Sequence, residues 1–176
     1  MRRTVLYIAV SLDGYIADKN GRVDWLSGHD PDEESEGSYY EFVQNIDTVV
    51  MGWETYHQVT TELSPDEWVY DDFITYVITH REKASSEKIR FVHESPADLI
   101  KTLKETRGKD IWICGGASIA QQLMQDGLID RFYISVIPIV LGAGVRLFGK
   151  LQENLKLKLM ETRSHNGIVE LRYEKR

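Results

Sequence analysis

One cysteine, Cys114, among 176 residues leaves no partner for an intrachain disulfide. A chain without cross-links fits a reducing compartment, and the cytoplasm is the expected location. Long apolar runs are also missing. The first, Thr4 to Val10, follows Arg2-Arg3 and so has the basic-then-apolar order of a secretory leader. Ser11 and Asp13 interrupt it after about seven residues, and no small-residue cleavage site follows, so a buried first strand is expected. No stretch approaches the ~18–20 apolar residues needed to cross a bilayer. Basic patches are scarce too. Lys and Arg number 21 against 28 Asp and Glu, a formal net charge of −7, with small cationic clusters only at Arg2-Arg3 and Lys175-Arg176. That field repels a long polyanion such as a nucleic acid. It does not exclude a small anionic ligand held by backbone N–H groups. His29, His57, His93 and His165 lack metal-ligand spacing, so no metal site is expected. Internal repeats, low-complexity tracts and linkers are absent as well.

What is present is an ordinary globular composition, 42% hydrophobic and 28% charged, long enough for one domain spanning residues 1–176. Short β-branched and aromatic runs predict strands at Thr4–Val10, Asp47–Met51, Phe73–Thr79, Ile89–Val92, Asp110–Cys114 and Phe132–Val140. The runs up to Cys114 are continuous rather than alternating, as in strands covered on both faces. Two more, Lys156–Thr162 and Ile168–Tyr173, flank Asn166-Gly167, a dipeptide suited to a type I′ hairpin. Helices are expected between them. Ser95-Pro96-Ala97-Asp98 combines a capping hydroxyl, a proline for the first helical position and an acid at the positive end of the dipole. Ile119, Ala120, Leu123 and Met124 form one face of a second helix that stops before Gly127, and Tyr39, Tyr40, Phe42, Val43 and Ile46 form a third stripe. A short fourth occupies about Glu54–Thr60. This alternation predicts an α/β fold with a mostly parallel sheet, helices on both faces and an antiparallel hairpin at one edge.

Three strand-to-helix junctions carry chemistry. At the first, Gly115-Gly116 separates a strand from a helix beginning at Ala117, whose first N–H groups point outward with the positive end of the helix dipole. Two glycines allow a left-handed backbone and close ligand approach. By itself the pair serves a tight turn as readily as a pyrophosphate, and it lacks the G-x-G-x-x-G spacing of a Rossmann site. At the second, Gly52 closes a strand and Thr55 offers a hydroxyl. At the third, Thr79, His80 and Arg81 follow a strand's C-terminal end, where open α/β sheets bind ligands. Arg81 suits a phosphate monoester.

The segments around these junctions resemble the dihydrofolate reductase-like family. Ile8-Ala9-Val10-Ser11-Leu12-Asp13-Gly14-Tyr15-Ile16-Ala17 is similar to the opening S-L-D-G-x-I-A of the reductase domain of bacterial riboflavin-biosynthesis proteins. Met51-Gly52-Trp53-Glu54-Thr55-Tyr56 resembles M-G-R-x-T-[WY], and Ile78-Thr79-His80-Arg81 the adenosine-phosphate loop. Ile113-Cys114-Gly115-Gly116-Ala117-Ser118-Ile119 resembles [IV]-x-G-G-x-x-[IVL]. Pro138 to Phe148 is similar to the riboflavin branch's P-x-x-L-G-x-G-x-x-L-F. Five weak motifs in one order across nearly the whole chain are specific together. The resemblance implies the three-layer dihydrofolate reductase-like fold, with NADPH as cofactor. Ala9 and Ile16 would lie near the nicotinamide. Gly52, Thr55 and the turn Gly115, Gly116, Ala117, Ser118 and Ile119 would hold the pyrophosphate. Trp53, Thr79, His80 and Arg81 would surround the adenosine end.

Some positions depart from the family. Trp53 stands where Arg or Lys is usual, and offers a stacking surface instead of a charge. Tyr15 and Cys114 stand where the riboflavin branch has Lys and Glu, so charge is lost on the substrate side. For the proton-donating carboxylate of dihydrofolate reductases the candidates are Glu34 and Glu36, with Ser38 aligning about as well. The expected activity is reduction of a flat heterocycle or ribosylamine, first 5-amino-6-(5-phosphoribosylamino)uracil, second a dihydropterin. The competing expectation is a non-catalytic NADP-binding protein of the same fold. Relatives of the riboflavin branch commonly dimerise, and Phe132–Val140 with the C-terminal hairpin is the expected homodimer surface.

Overall fold

The computed structural model describes residues 1–30, 32–33 and 37–176. Its strands are β1 (Thr4–Ser11), β2 (Tyr15–Ala17), β3 (Ile46–Gly52), β4 (Ile74–Ile78), β5 (Ile89–Val92), β6 (Asp110–Gly115), β7 (Arg131–Ile137), β8 (Val145–Arg146), β9 (Leu157–His165) and β10 (Ile168–Lys175). Its helices are α1 (Tyr39–Val43), α2 (Trp53–Gln58), α3 (Pro96–Glu105) and α4 (Ala117–Gln125), with a wider helical turn at Val59–Leu63 continuing α2. Eight strands form one sheet in the order β5-β4-β3-β6-β1-β7-β10-β9. The strands from β5 to β7 run parallel, and β10 is antiparallel to both β7 and β9.

Strand residues alternate between two cores, which makes the three layers. Leu6, Val50, Ile111 and Ile113 pack with Leu99, Ile100 and Leu103 of α3 and Ala120 and Leu123 of α4. Their chain neighbours Val5, Val49, Met51 and Trp112 pack on the opposite face with Phe42 of α1. The Ser95 hydroxyl caps α3 by accepting from the Asp98 N–H at 3.1 Å, as its sequence indicates. The hairpin turn has φ of 47° at Asn166 and 75° at Gly167, the left-handed pair that a type I′ turn requires.

The structure corrects the sequence reading at several points. The strand expected over Phe132–Val140 ends at Ile137. Pro138 has no N–H to continue the ladder, and the Ile139 N–H turns back to the Ile137 carbonyl at 2.7 Å. β7 lies inside the sheet between β1 and β10, with Phe132 buried and both backbone edges paired, while Val140 beyond its end is exposed. The edge belongs to β9, where Leu159 and Met160 are exposed. Only Phe42 of the α1 aromatic stripe is buried, and Tyr40 is open to solvent. β4 alternates between buried and half-buried positions, and β5, the strand at the sheet's other edge, has no buried position. The two-stranded sheet of β2 and β8 has too few residues to leave a period in the sequence.

Two clamps fix this frame. Arg2 is buried at the start of β1 and ion-pairs with Asp47 of β3. It also donates to the Thr48 hydroxyl at 2.5 Å, the Lys109 carbonyl at 2.7 Å and the Thr106 hydroxyl at 2.9 Å. Asp13 orders the loop after β1. Its carboxylate accepts from the Ser11 hydroxyl at 2.7 Å and from the Gly142 and Leu141 N–H groups at 2.8 and 3.1 Å. Those bonds favour the ionised form and hold the carboxyl at about 2, below its ordinary 3.8. A depressed carboxyl stabilises the fold above its unfolded value and loses that contribution as pH falls through the folded one. The protection of the Leu141 and Gly142 amides, taken relative to the intrinsic exchange rate at each pH, is therefore expected to fall between pH 4 and pH 2, and Asp13→Asn to show the lowered protection already at pH 7. Unchanged exchange in the variant would remove the clamp.

Candidate cofactor and substrate cleft

The parallel strands deliver their C-terminal ends to one edge. Gly52 pairs with Ile78 and Met51 with Gly115, so the ends of β3, β4 and β6 are level and the loops that follow them meet. A cleft of about 1090 Å³ opens there. Its walls include Ala9, Ile16, Gly52, Trp53, Thr55, Thr79, His80, Gly115, Gly116, Ala117, Ser118 and Ile119. The three junctions singled out in the sequence thus face one another across a single space.

Gly116 caps α4 in extended conformation, and among the described residues no side chain caps the first N–H groups of the helix. Gly52 does the same for α2. A Cβ at Gly52 would lie 3.4 Å from Ile119 Cγ1 and 3.8 Å from the Gly116 nitrogen. A Cβ at Gly116 would lie 3.6 Å from Thr55 Oγ1. Gly115, joined to Gly116 by a cis peptide, has φ of 129°, a conformation that side chains disfavour. Three bare backbones and one hydroxyl therefore converge on the open, positive end of α4, a cradle suited to a small anion.

The mouth of the cleft is aromatic and cationic. Arg81 does not line the cleft. Its guanidinium carbon stands 4.8 Å from the Trp53 ring centroid, and Lys83 Nζ stands 5.3 Å from it. His57 stacks on the same indole with centroids 5.6 Å apart and planes 15° from parallel. The positive charge that a residue at position 53 would carry elsewhere in the family is brought here by two cations lying over Trp53. Thr79 lines the cleft, but its hydroxyl accepts from the Arg81 N–H at 3.1 Å and so shapes the turn that aims Arg81.

The inner end holds Cys114 and Tyr70, with 3.6 Å between Sγ and the phenolic oxygen. Burial pushes the Cys114 thiol up to about 11 and raises the Tyr70 phenol above its ordinary value, so both stay neutral near pH 7. Cys114 is thus a poor nucleophile near neutral pH. Tyr15 is buried away from the cleft, with Arg146 over its ring at 4.8 Å. Behind this end, Tyr7 stacks on Phe42 at 4.3 Å and meets Trp112 and Tyr133 edge-on, so rings fill the sheet face under α1. Glu34 and Glu36 lie outside the described residues. Among the described residues no group of His, Cys, Asp and Glu is arranged to hold a metal, and no helix is long and apolar enough to cross a membrane. Tyr70 and Lys83 carry no sequence signal. Tyr70 sits in an irregular segment without period, and Lys83 is one of many surface lysines until Trp53 is placed beside it.

The family model of the RibD C-terminal domain matches residues 3–169. The uncharacterised protein YwjB of Bacillus subtilis is 40% identical over 173 residues, covering 98% of this chain and 97% of its own. A crystal structure described as a candidate riboflavin biosynthesis protein of Shewanella sp. PV-4 superposes with a TM-score of 0.84 at 29% identity, covering 99% of both chains. Dihydrofolate reductase from Enterococcus faecalis, complexed with NADP(H), superposes at 0.70 with 16% identity, covering 98% of this chain and 96% of its own, a likeness of fold. With its three-layer sheet, its two glycine-capped helices and these relatives, the chain belongs to the RibD C-terminal domain family, the reductase domain of riboflavin biosynthesis.

Proposed function

We propose that the protein is an NADPH-dependent reductase acting on a C=N or C=O bond of a flat heterocycle or ribosylamine. The observation that carries this reading is the bare cradle of Gly52, Gly115 and Gly116 beside Thr55, opening into the same cleft that Trp53 closes under two cations. The cradle fits a pyrophosphate, because a Cβ at Gly52 or Gly116 would project into it and the α4 N–H groups are left open. The mouth fits an adenosine bearing a 2′-phosphate. Trp53 supplies a flat stacking surface, and Arg81 and Lys83 supply charge beside it. Ala9 and Ile16 line the path between the cradle and the inner end, where the nicotinamide ring belongs in this reading. When bound, NADPH supplies the hydride; the protein's part is to orient the two rings and keep water from the inner end.

Thermal melting with NADPH and with NADH tests this. Cofactor at 100 times its Kd adds about 2.7 kcal/mol of stability. NADPH is expected to raise the melting temperature at concentrations where NADH does not, because only NADPH carries the phosphate that Arg81 and Lys83 meet. No shift with either cofactor at millimolar concentration would sink the reading. Equal shifts would remove Arg81 and Lys83 from it.

A further inference from the structure

The charge lining the cleft is unevenly divided. The two cations over Trp53 stand at its mouth. Among the described residues on its walls, Arg22 is the one Lys or Arg, and Asp24 already neutralises it at 2.5 Å. Glu54, Glu62 and Glu94 line the same walls, with His57, His80 and His93 as the other basic groups. The inner end is different again. Tyr70 and Cys114 form its floor, 3.6 Å apart, and burial keeps both the phenol and the thiol uncharged. Among the described residues that line the cleft no unpaired Lys or Arg is at hand, so a dianionic phosphate drawn into it would lose hydration without gaining a cation. A neutral ring carries no such hydration to lose, and further rings back the one it meets. Tyr70 reaches Tyr56 through Trp68, with successive centroids 5.2 and 5.6 Å apart. The Tyr70 hydroxyl donates or accepts, and the weak thiol beside it competes poorly for that bond.

We propose that Tyr70 and Cys114 form the floor of a substrate subsite that takes an uncharged, planar, carbonyl-bearing heterocycle, anchored on the Tyr70 hydroxyl, in preference to its phosphorylated form. This rests on the reductase reading and narrows it. Tyr70 is a specificity-determining residue, and Cys114, where the riboflavin branch has Glu, keeps the floor uncharged.

The experiment has two stages, so that the two ideas fail separately. NADP+ affinity of the wild type and of Tyr70→Phe is measured first by calorimetry; absence of NADP+ binding sinks the reductase reading itself. The NADP+-saturated proteins are then titrated with 5-amino-6-ribosylaminouracil and with its 5′-phosphate. The riboside is expected to bind at least about ten-fold tighter than the phosphate, the loss of one to two hydrogen bonds' worth of affinity. Tyr70→Phe keeps the ring and its packing. It is expected to weaken the riboside about ten-fold while leaving NADP+ affinity unchanged. The proposal is overturned if the phosphate binds as tightly as the riboside, if neither binds, or if Tyr70→Phe spares the riboside or weakens both ligands alike.

Discussion

Gly52→Val is expected to lower NADPH affinity at least about 100-fold, a loss near 2.7 kcal/mol, while the melting temperature of the ligand-free protein moves little. Gly52 has φ of −85° and ψ of 168°, extended backbone that valine favours, so the fold accepts the side chain. Its Cβ makes ordinary contact with Ile119 and the Gly116 nitrogen, and its two methyl groups then occupy the space between Thr55 and the start of α4. A pyrophosphate meets those methyls before it reaches the N–H groups. Isothermal titration calorimetry on the variant, with circular dichroism as the control for folding, decides it. Affinity within three-fold of the wild type would place the cofactor elsewhere.

Arg2→Met is expected to cost the fold about 3 kcal/mol. Removing one partner of a buried ion pair typically costs about 3–5 kcal/mol, and the partial exposure of Asp47, 39% at its side chain, puts this pair at the low end. The loss includes more than the pair. The Thr48 and Thr106 hydroxyls and the Lys109 carbonyl each lose a charged donor in the same change. For a chain of this size a destabilisation of ~3 kcal/mol lowers the melting temperature by roughly 6–12 °C. Urea denaturation measures it directly, and a cost under about 1 kcal/mol would show that Arg2 decorates the surface rather than ties β1 to β3 and the turn before β6.

Much of this frame was legible beforehand, for a physical reason. Strands covered on both faces need uninterrupted apolar residues, and a helix start needs a cap, so Val49-Val50-Met51 and Ser95-Pro96 announce themselves locally. Asn166-Gly167 does so because few other dipeptides tolerate two left-handed residues. The junction glycines were legible as positions, but a pair of glycines has no side chain to say what it approaches. Arg2 was not legible. In sequence it belongs to a basic start, and its burial depends on Asp47, Thr106 and Lys109, all far away in the chain. Lys83 and Tyr70 were missed in the same way, since a cation over an indole and a hydroxyl over a thiol are properties of placement. Arg81 was found for its charge, yet its position over Trp53 explains what the charge-for-indole exchange at residue 53 had left open.

The place of β1 in the sheet also sets the order in which the chain can become a protein. It is made before the other strands of this sheet and it ends up in the middle, hydrogen-bonded to β6 and β7. Its contacts to those neighbours span 107 and 126 residues. At ~5–20 residues per second of synthesis, its apolar run waits about 5–20 s for the first of its partners. Loop closure over that distance must come before the contacts that reward it, so β1 docks late even though it is born early. Nascent chains that stop short of Ile111 carry this strand with neither neighbour, and it is there that a chaperone holding extended apolar segments would find the protein.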